Sequence, residues 1–371
     1  MRPASIQKLY DGIAAGRVRG FTVPAFNLRG LLFETARAIF RAAKKLDAGA
    51  FIFEISRGEM SYTGIRPAEF STAVQRAAEQ ERWAGPVFLQ GDHFQFDPAE
   101  YARDAAAETD RIKALTREAI DSGFFNIDID ASTLVDLSRP MIRDQQRDNF
   151  DRTAEMTEFI RAIKPDVSVG GEIGEVGKAN STVEEFEEFF EGYRERWNEK
   201  PISKMSVQTG TSHGGVILPD GSRAKVALDF SVLRDIGAAC RRRGLAGTVQ
   251  HGASTLPEEM FGEFPKNNCV EIHLATGFQQ AIFNHPRFPE KLREKQVRWI
   301  EENRPPGWRA DATPAQNFET CVKRTWGPMK NEFADLPRET LDAIMERLEE
   351  KFAATMTRLG VRATRGLVEE L

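Results

Sequence analysis

Apolar residues of this chain fall into short runs that alternate with longer segments of helical spacing. Short apolar and β-branched runs predict buried strands, whereas apolar positions three and four apart predict amphipathic helices. The predicted strands are FTVPAFN (21–27), AGAFIFEIS (48–56), PVFLQGDH (86–93), FFNIDIDAS (124–132), DVSVGGEIG (166–174), KMSVQTGTS (204–212), LAGTVQHGAS (245–254) and NCVEIHLATG (268–277). The clearest predicted helices are PAEFSTAVQRAAEQERW (67–83), PAEYARDAAAETDRIKALTREAIDSG (98–123), LDFSVLRDIGAACRRRG (228–244) and LPRETLDAIMERLEEKFAATMTRLG (336–360).

Eight strand–helix units in series predict an α/β fold, a single closed parallel (β/α)8 TIM barrel with a C-terminal helical extension. We expect residues 1–286 to form the barrel and catalytic domain, and residues 287–371 to form a helical extension packed on it. An open doubly wound sheet is the alternative, but no G-x-G-x-x-G follows the first predicted strand.

Composition narrows the functional classes. The 371 residues are 41% hydrophobic and 29% charged, with a net charge of −5 and interspersed signs, so we expect neither a nucleic acid nor a membrane as partner. The N-terminus lacks the pattern of a signal peptide, which predicts a cytoplasmic protein acting on small molecules. The three cysteines, Cys240, Cys269 and Cys321, have no C-x-x-C spacing, so any metal should be held by nitrogen and oxygen.

Three of the five histidines end or follow predicted strands. His93 ends the third strand, His213 follows the sixth in TGTSHGG, and His251 ends the seventh between Gln250 and Gly252. In a barrel all three would lie at the C-terminal rim, where active sites form. Three imidazoles that leave one coordination position open are typical of a catalytic zinc site. His273 lies within the eighth strand, and its role depends on whether it points into the barrel.

Carboxylates gather at the same predicted rim. Asp92 precedes His93, Asp128 and Asp130 close the fourth strand, and Glu172 lies at the end of the fifth. Buried acids are costly unless they are paired or bound to metal. Because successive side chains of a strand point to opposite faces, Asp92 can face the same site as His93 only where the strand breaks or turns. A carboxylate beside a Lewis acid suits proton transfer next to a carbonyl group.

Six short motifs, in their order along residues 20 to 285, resemble the class II, metal-dependent fructose-bisphosphate and tagatose-bisphosphate aldolases. They are VPAFN, GDH, GFFNIDIDAS, GGEIGEVG, SHGG and HGAST. The resemblance implies a Zn²⁺ ion, or another divalent metal, and a monovalent cation as cofactors, and relatives of this kind are commonly homodimers or homotetramers. It also implies a function in carbohydrate metabolism.

Carried over position by position, the resemblance makes His93, His213 and His251 the metal ligands. Asp92 would transfer the proton, with Glu172 and Glu175 as further candidate catalytic acids. The implied contacts to substrate, phosphate or a displaced metal are Asn27, Ser56, Asp130, Gly214, Gly215, Gly252, Ser254, His273 and Thr276.

Two departures from the family pattern affect the substrate rather than the metal. The usual K-I-N-x-D-T-D of the eighth strand reads EIHLATG here, so that His273 takes the Asn place, Ala275 takes the Asp place and Thr276 is kept. The acidic mobile loop after the fifth strand is reduced to GEVGKANST, with Glu175 the nearest acid. We therefore expect fructose 1,6-bisphosphate to be a poor substrate. Charge for a substrate anion could come from Arg57, Lys178, Lys323 or Arg324.

Three functions remain open at this point. The leading hypothesis is a metal-dependent aldolase acting on a ketose, a ketose phosphate or a keto-sugar acid. The second is an epimerase that breaks and remakes the same bond while it retains the aldehyde. The third is a non-catalytic aldolase-like subunit, which the retention of Asp92 together with the three histidines disfavours.

Overall fold

A single parallel sheet organises the chain. The computed structural model describes residues 3–174, 179–210, 217–222 and 228–370. Within these ranges the strands are β1 (Pro3–Ala4), β2 (Val23–Asn27), β3 (Ile52–Ser56), β4 (Val87–Gln95), β5 (Asn126–Asp130), β6 (Ser168–Glu172), β7 (Lys204–Val207), β8 (Thr248–Gln250) and β9 (Cys269–Leu274). Each of β2 to β8 pairs in parallel with the next strand, and β9 pairs with β2, so eight of the described strands close a barrel. The predicted TIM barrel is confirmed.

Helices surround this barrel. In the described part of the chain they are α1 (Gln7–Ala14), α2 (Leu32–Leu46), α3 (Arg57–Thr63), α4 (Pro67–Gln80), α5 (Pro98–Arg103), α6 (Ala105–Asp121), α7 (Ile142–Gln145), α8 (Arg147–Ile163), α9 (Val183–Arg196), α10 (Phe230–Arg242), α11 (Thr276–Phe283), α12 (Glu290–Asn303), α13 (Pro314–Cys321), α14 (Lys330–Ala334), α15 (Arg338–Arg358) and α16 (Arg365–Glu370). Short 3-10 helices are η1 (Ser132–Leu134), η2 (Ala253–Thr255), η3 (Glu258–Asn267) and η4 (Val322–Thr325).

One predicted helix is broken in the structure. The segment 98–123 forms α5 and α6 because Asp104 has an extended backbone, with φ of −158°. Its carboxylate accepts a hydrogen bond from Ala107 N at 3.0 Å and caps α6. Aspartate favours this capping position over a helix interior, since its short side chain satisfies an amide that would otherwise have no partner.

The C-terminal helices pack against the barrel wall. Along α15, Ile344, Leu348, Phe352 and Met356 are buried at spacings of four residues. The ring of Phe352 lies 5.0 Å from that of Phe26 in β2, between ring centroids. Each fully buried side chain of this kind stabilises the fold by about 1.5–3 kcal/mol. None of the helices in the described ranges has the length and apolar character needed to cross a bilayer.

Candidate active site

A bulge in β4 turns two consecutive side chains toward the same site. The parallel pairing of β4 with β5 shifts register between Gly91 and Phe94, and His93 adopts the left-handed conformation with φ of 41°. A methyl group at Gly91 would lie 2.4 Å from the Phe94 ring, so glycine leaves the space that this bend requires. Asp92 and His93 therefore both line one cavity. A regular strand would have sent them to opposite faces.

His93 and His251 meet at the carboxyl ends of β4 and β8. Nε2 of His93 lies 2.9 Å from Nδ1 of His251, and the other ring nitrogen of His251 is 3.1 Å from Ser206 Oγ. Asp92 Oδ1 lies 3.8 Å from Nε2 of His93. Atoms of these three side chains, Asp92, His93 and His251, all lie within 4.8 Å of one another.

Two acids hold the remaining nitrogen of His93. Nδ1 lies 2.8 Å from Asp130 Oδ2 and 3.1 Å from Glu172 Oε2. Burial raises the pKa of Glu172 to about 7, with repulsion from Asp130 adding to this rise and His93 opposing it. Burial would also raise the pKa of Asp130, but the hydrogen bonds from His93 and Ser132 lower it overall. A carboxylate on the far nitrogen of an imidazole fixes the ring orientation, as around bound metals.

His273 points into the barrel and bonds Asp92. Its Nδ1 lies 2.9 Å from Asp92 Oδ1, and its Nε2 lies 2.6 Å from Glu271 Oε1. Glu54 Oε2 is 3.3 Å from the same Nδ1. Burial alone would lower the pKa of His273, but Glu54 and Asp92 raise it well above its usual value. The imidazole thereby fixes the orientation of the Asp92 carboxylate.

Charged side chains fill the barrel beneath this site. Lys204 Nζ contacts Glu271 and lies 3.0 Å from Asp128 Oδ2. Gly170 lies on β6, between the strand of Asp128 and the strand of Lys204. It leaves room for their ion pair, because a methyl group there would lie 2.3 Å from Asp128 Oδ1. Burial raises the pKa of Asp128 to about 6, with Lys204 opposing it. The barrel centre is therefore a buried ion network rather than the usual apolar packing.

A cavity of about 570 Å³ opens above the network. Its walls come from the rim of the barrel and from the segment between Gly307 and Arg324, which belongs to the C-terminal helices. On the barrel side, the carboxylate of Glu59 accepts hydrogen bonds from Asn27 Nδ2 at 2.6 Å and from Arg29 Nε at 2.5 Å. Glu59 also completes a capping box with Ser56 at the start of α3.

The residues predicted from sequence divide into three groups. Besides Asp92, His93 and His251, the cavity wall includes Asn27, Ser56, Gly252, Ser254, His273 and Thr276. Asp130 and Glu172 lie behind His93, which they bond. Four predicted site residues lie outside the described residues, namely Glu175, His213, Gly214 and Gly215. Lys178 lies outside them as well.

Several residues of the site were missed from the sequence. Glu54 interrupts an apolar strand just as Asp128 does, so the same signal could have found it. Lys204 and Glu271 also lie on strands, but nothing in their sequence pattern indicates that they pair across the barrel. Arg57, considered as a source of charge for the substrate, instead bonds the buried Glu108 at 2.5 Å. His285 accepts a hydrogen bond from Arg287 N at 3.2 Å in the turn after α11, outside the cavity wall.

The donor atoms at the rim fit a divalent metal ion. Two imidazole nitrogens and a carboxylate oxygen face one another at separations suited to ligands of one ion, for which metal–nitrogen distances are about 2.0–2.1 Å. Among the residues that the structure describes, Oε1 of Glu54 and Oδ1 of Asp128 are buried without a hydrogen-bond partner. Among the described residues at the rim and in the barrel centre, buried carboxylates outnumber the basic side chains. A bound cation would offset this excess of negative charge. The donor set contains only nitrogen and oxygen, since Cys240, Cys269 and Cys321 are buried and unpaired elsewhere.

The family model for "Fructose-bisphosphate aldolase class-II" matches residues 7–362, nearly the whole chain. This chain belongs to the class-II fructose-bisphosphate aldolase family. The family is generally metal-dependent, and the His and carboxylate clusters of this member are candidate metal sites. No curated protein sequence matches this class-II family member.

Solved structures share the fold of this family member at low identity. The YdjI aldolase from Escherichia coli K12 is 15% identical with a TM-score of 0.57, over 98% of this chain and 100% of that one. A fructose-bisphosphate aldolase from Campylobacter jejuni is 16% identical with a TM-score of 0.58, over 98% and 97%. The fructuronate-tagaturonate epimerase UxaE from Cohnella laeviribosi is 12% identical with a TM-score of 0.68, over 92% and 82%. At such identities the likeness is one of fold alone.

Proposed function

We propose that this family member is a zinc-dependent aldolase that makes or breaks a carbon–carbon bond adjacent to the ketone-bearing part of a sugar. Its substrate would be a ketose, a ketose phosphate or a keto-sugar acid. The observation that carries the proposal is the convergence of Asp92, His93 and His251 within 4.8 Å, on the wall of a cavity of about 570 Å³. A Lewis acid beside a carboxylate is the combination that aldol chemistry requires.

His93 and His251, with His213 from outside the described residues, would hold the metal ion. When bound there, it would supply a Lewis acid that polarises the ketone of the substrate. Asp92 would take the proton from the hydroxyl group on the carbon whose bond is cleaved, and return it in the reverse direction. His273 holds Oδ1 of Asp92 at 2.9 Å, so the carboxylate is oriented before the substrate enters.

Two further acids have supporting roles in this proposal. Glu172 holds His93 through a contact of 3.1 Å to Nδ1 and would keep Nε2 turned toward the metal. Glu175, outside the described residues, is the candidate for deprotonating the donor ketone, because it is the nearest acid in the shortened loop after β6.

The eighth barrel strand favours a substrate other than fructose 1,6-bisphosphate. His273 and Ala275 line the cavity where the family pattern has Asn and Asp. The buried imidazole is bulkier than the amide, and Ala275 offers no carboxylate to a substrate hydroxyl. A phosphate could still bind Ser254 and Gly252, together with Gly214 and Gly215 from the part that is not described, as could a monovalent cation.

Epimerisation is the second candidate, and one observation favours it. Residues of the segment between Gly307 and Arg324 line the cavity together with the barrel rim. This added wall could retain the aldehyde after cleavage, so that it rotates and rejoins with inverted stereochemistry. We also propose that the protein forms a homodimer or a homotetramer and acts in the cytoplasm.

A substrate panel tests the proposed function. The zinc-loaded protein is incubated with fructose 1,6-bisphosphate, single phosphates, unphosphorylated ketoses and keto-sugar acids, and aldehyde release and epimer formation are measured separately. We expect retro-aldol products from a substrate other than the bisphosphate. An epimer without free aldehyde would favour the second candidate. If the bisphosphate has a kcat/KM more than about tenfold above the others, about 1.4 kcal/mol of transition-state binding, our interpretation of the eighth strand is wrong.

Asp92→Asn separates metal binding from chemistry. The substitution keeps the shape but removes the proton acceptor, so turnover should fall by roughly 10²-fold or more while zinc content persists. Gln145→Glu, at a half-buried position outside the cavity wall, serves as a control for a change of one unit of charge. Near-normal turnover of Asp92→Asn would assign the proton transfer to another group, with Glu172 and Glu175 the next candidates.

A further inference from the structure

Helix α1 packs against the floor of the barrel. Ile6 N, one residue before α1, donates a hydrogen bond to Asn126 Oδ1 at 2.9 Å, and Asn126 is the first residue of β5. Gln7 Oε1 accepts a hydrogen bond at 2.7 Å from Ser203 Oγ, one residue before β7. The amino ends of parallel strands lie at the end of a barrel opposite the active-site rim. These contacts therefore place α1 at that opposite end.

One side chain of α1 reaches from the floor into the barrel. The buried hydroxyl of Tyr10 donates a hydrogen bond to Glu271 Oε2. The other oxygen of this carboxylate, Oε1, accepts a hydrogen bond from Gln90 Nε2 at 2.7 Å and contacts Nζ of Lys204. Both oxygens of Glu271 are thus held by neighbouring side chains, and the plane of the carboxylate is fixed.

Glu271 connects Tyr10 to the proposed proton-transfer group. Oε1 of Glu271 lies 2.6 Å from Nε2 of His273, and Nδ1 of His273 lies 2.9 Å from Asp92 Oδ1. Tyr10, Glu271, His273 and Asp92 are all buried and form a continuous chain of contacts from the floor of the barrel to its rim. We call these four residues the column. Its upper two members, His273 and Asp92, line the cavity, whereas Tyr10 and Glu271 lie beneath it.

We propose that Tyr10 and Glu271 are positioning residues that act on Asp92 through His273. A group that transfers a proton has to be held within about 0.5 Å of its productive place by side chains that are themselves fixed. His273 can hold Asp92 in this way only if its own ring is fixed, and the contact of Nε2 with Glu271 fixes it. Tyr10 in turn fixes Glu271. The inference rests on the proposed function in taking Asp92 as the proton-transfer group.

Tyr10→Phe tests the column, because it removes one hydroxyl group and keeps the ring. A displacement of about 1 Å in a reacting group can cost about 10²-fold in rate, so we expect kcat of the zinc-loaded variant to fall about tenfold. Its KM and zinc content should stay within about twofold of the wild type, since neither Tyr10 nor Glu271 lines the cavity.

Tyr193→Phe is the matched control. Tyr193 is also a buried tyrosine, but it lies on α9, and its hydroxyl accepts a hydrogen bond from Ile202 N at 3.1 Å. This variant loses a comparable hydrogen bond outside the column, so its kcat should stay within about twofold of the wild type. Equal kcat in Tyr10→Phe and Tyr193→Phe would overturn the inference.

A double variant separates positioning from a general effect on the structure. When Asp92 is already replaced by Asn, the group that Tyr10 is proposed to position is absent. Adding Tyr10→Phe to Asp92→Asn should therefore lower kcat no further, a non-additivity expected of residues that act through one another. A further tenfold loss in that background would contradict the inference, because the hydroxyl would then act on something other than Asp92.

The ring of His273 reports on the column without any turnover. Nitrogen-15 spectra of histidine-labelled protein contain ring signals from five histidines, and those of His273 are assigned by their absence from His273→Asn. They should shift in Tyr10→Phe but not in Tyr193→Phe, while the His285 signals stay in place in both. This shift in a protein that cleaves no sugar would reject the proposed function but keep the column. Unshifted His273 signals in Tyr10→Phe overturn the inference whether or not the protein is active.

Discussion

At the scale of single residues, this site depends on a few atoms whose partners come from different strands. His251 is buried, and its two nitrogens are directed at His93 and at Ser206. Asp92 is held by His273, and Lys323 is one of the cavity cations without an ion-pair partner in the described ranges. Substitution of each of these residues should therefore change a different property: metal content, proton transfer or the binding of a charged substrate.

His251→Ala should lower zinc occupancy markedly, since it removes one of the proposed ligands and leaves His93 with fewer partners. His285→Ala removes a histidine from a turn outside the cavity and should leave the metal content unchanged. Metal analysis of both variants after mild chelation measures this. Equal zinc in the two variants would contradict the assignment of His251.

Affinity for an acidic sugar should fall as the pH rises through about 8. Burial, with Arg29 and Arg324 adding to the effect and Glu59 and Cys321 opposing it, lowers the pKa of Lys323 to about 8. Lys323 is therefore charged below this pH and neutral above it, while a carboxylate probe stays ionised.

Gluconate titrations of the metal-free protein at pH 7 and pH 9 measure this effect. Binding should be severalfold weaker at the higher pH, about 1 kcal/mol or less in free energy. Lys323→Arg keeps its charge over this range and should remove most of the dependence. A dependence that is the same in both proteins would assign the titration elsewhere.

At the scale of elements, the barrel strands share a buried ion network. Lys204 of β7 contacts Asp128 of β5 and Glu271 of β9, and Gly170 of β6 leaves the space between the first two. Burying charges is costly, but removing one member of a matched set is costlier, because its partners stay buried without compensation. The network therefore ties strands β5, β7 and β9 together beneath the candidate metal site.

Lys204→Met should lower the free energy of unfolding by about 3–5 kcal/mol, because it removes the buried ammonium group that the carboxylates of Asp128 and Glu271 share. Lys330→Met, which breaks an exposed ion pair with Glu69, should cost no more than about 1 kcal/mol. Urea unfolding curves with unchanged slopes provide the comparison. A cost for Lys204→Met as small as that of the control would show that the network contributes little.

At the scale of the whole molecule, the C-terminal extension completes the cavity and contacts the connection between β7 and α10. Gln316 Nε2 donates to Ile217 O at 2.9 Å, and Thr313 Oγ1 donates to Pro219 O at 2.7 Å. The same connection carries His213, which lies outside the described residues. Helix α13 thus links the cavity wall to the segment that would supply the third histidine.

Gln316→Glu tests this link. The carboxylate can still accept from Thr313 N and keep the capping box of α13, but it cannot donate to Ile217 O and would repel it. Losing a hydrogen bond of about 1 kcal/mol and adding this repulsion should lower kcat/KM by roughly tenfold, with little change in Tm. Gln145→Glu is the control: it makes the same substitution at a half-buried glutamine outside the cavity wall, which donates to Arg139 O at 2.8 Å. Equal kcat/KM in both variants would contradict a role for the hydrogen bond between Gln316 and Ile217.

The sequence by itself determined the barrel and the position of its histidines along the chain. Strand and helix periodicities are local properties, so eight alternating units predict the closed sheet, and a parallel barrel brings every strand end to one rim. The tertiary structure decided which side chains meet there. The register shift between Gly91 and Phe94 turned Asp92 toward the site, barrel closure paired Lys204 with Glu271, and helix packing brought Lys323 to the cavity wall. These contacts join residues far apart in sequence, and no local pattern encodes the register and packing that create them.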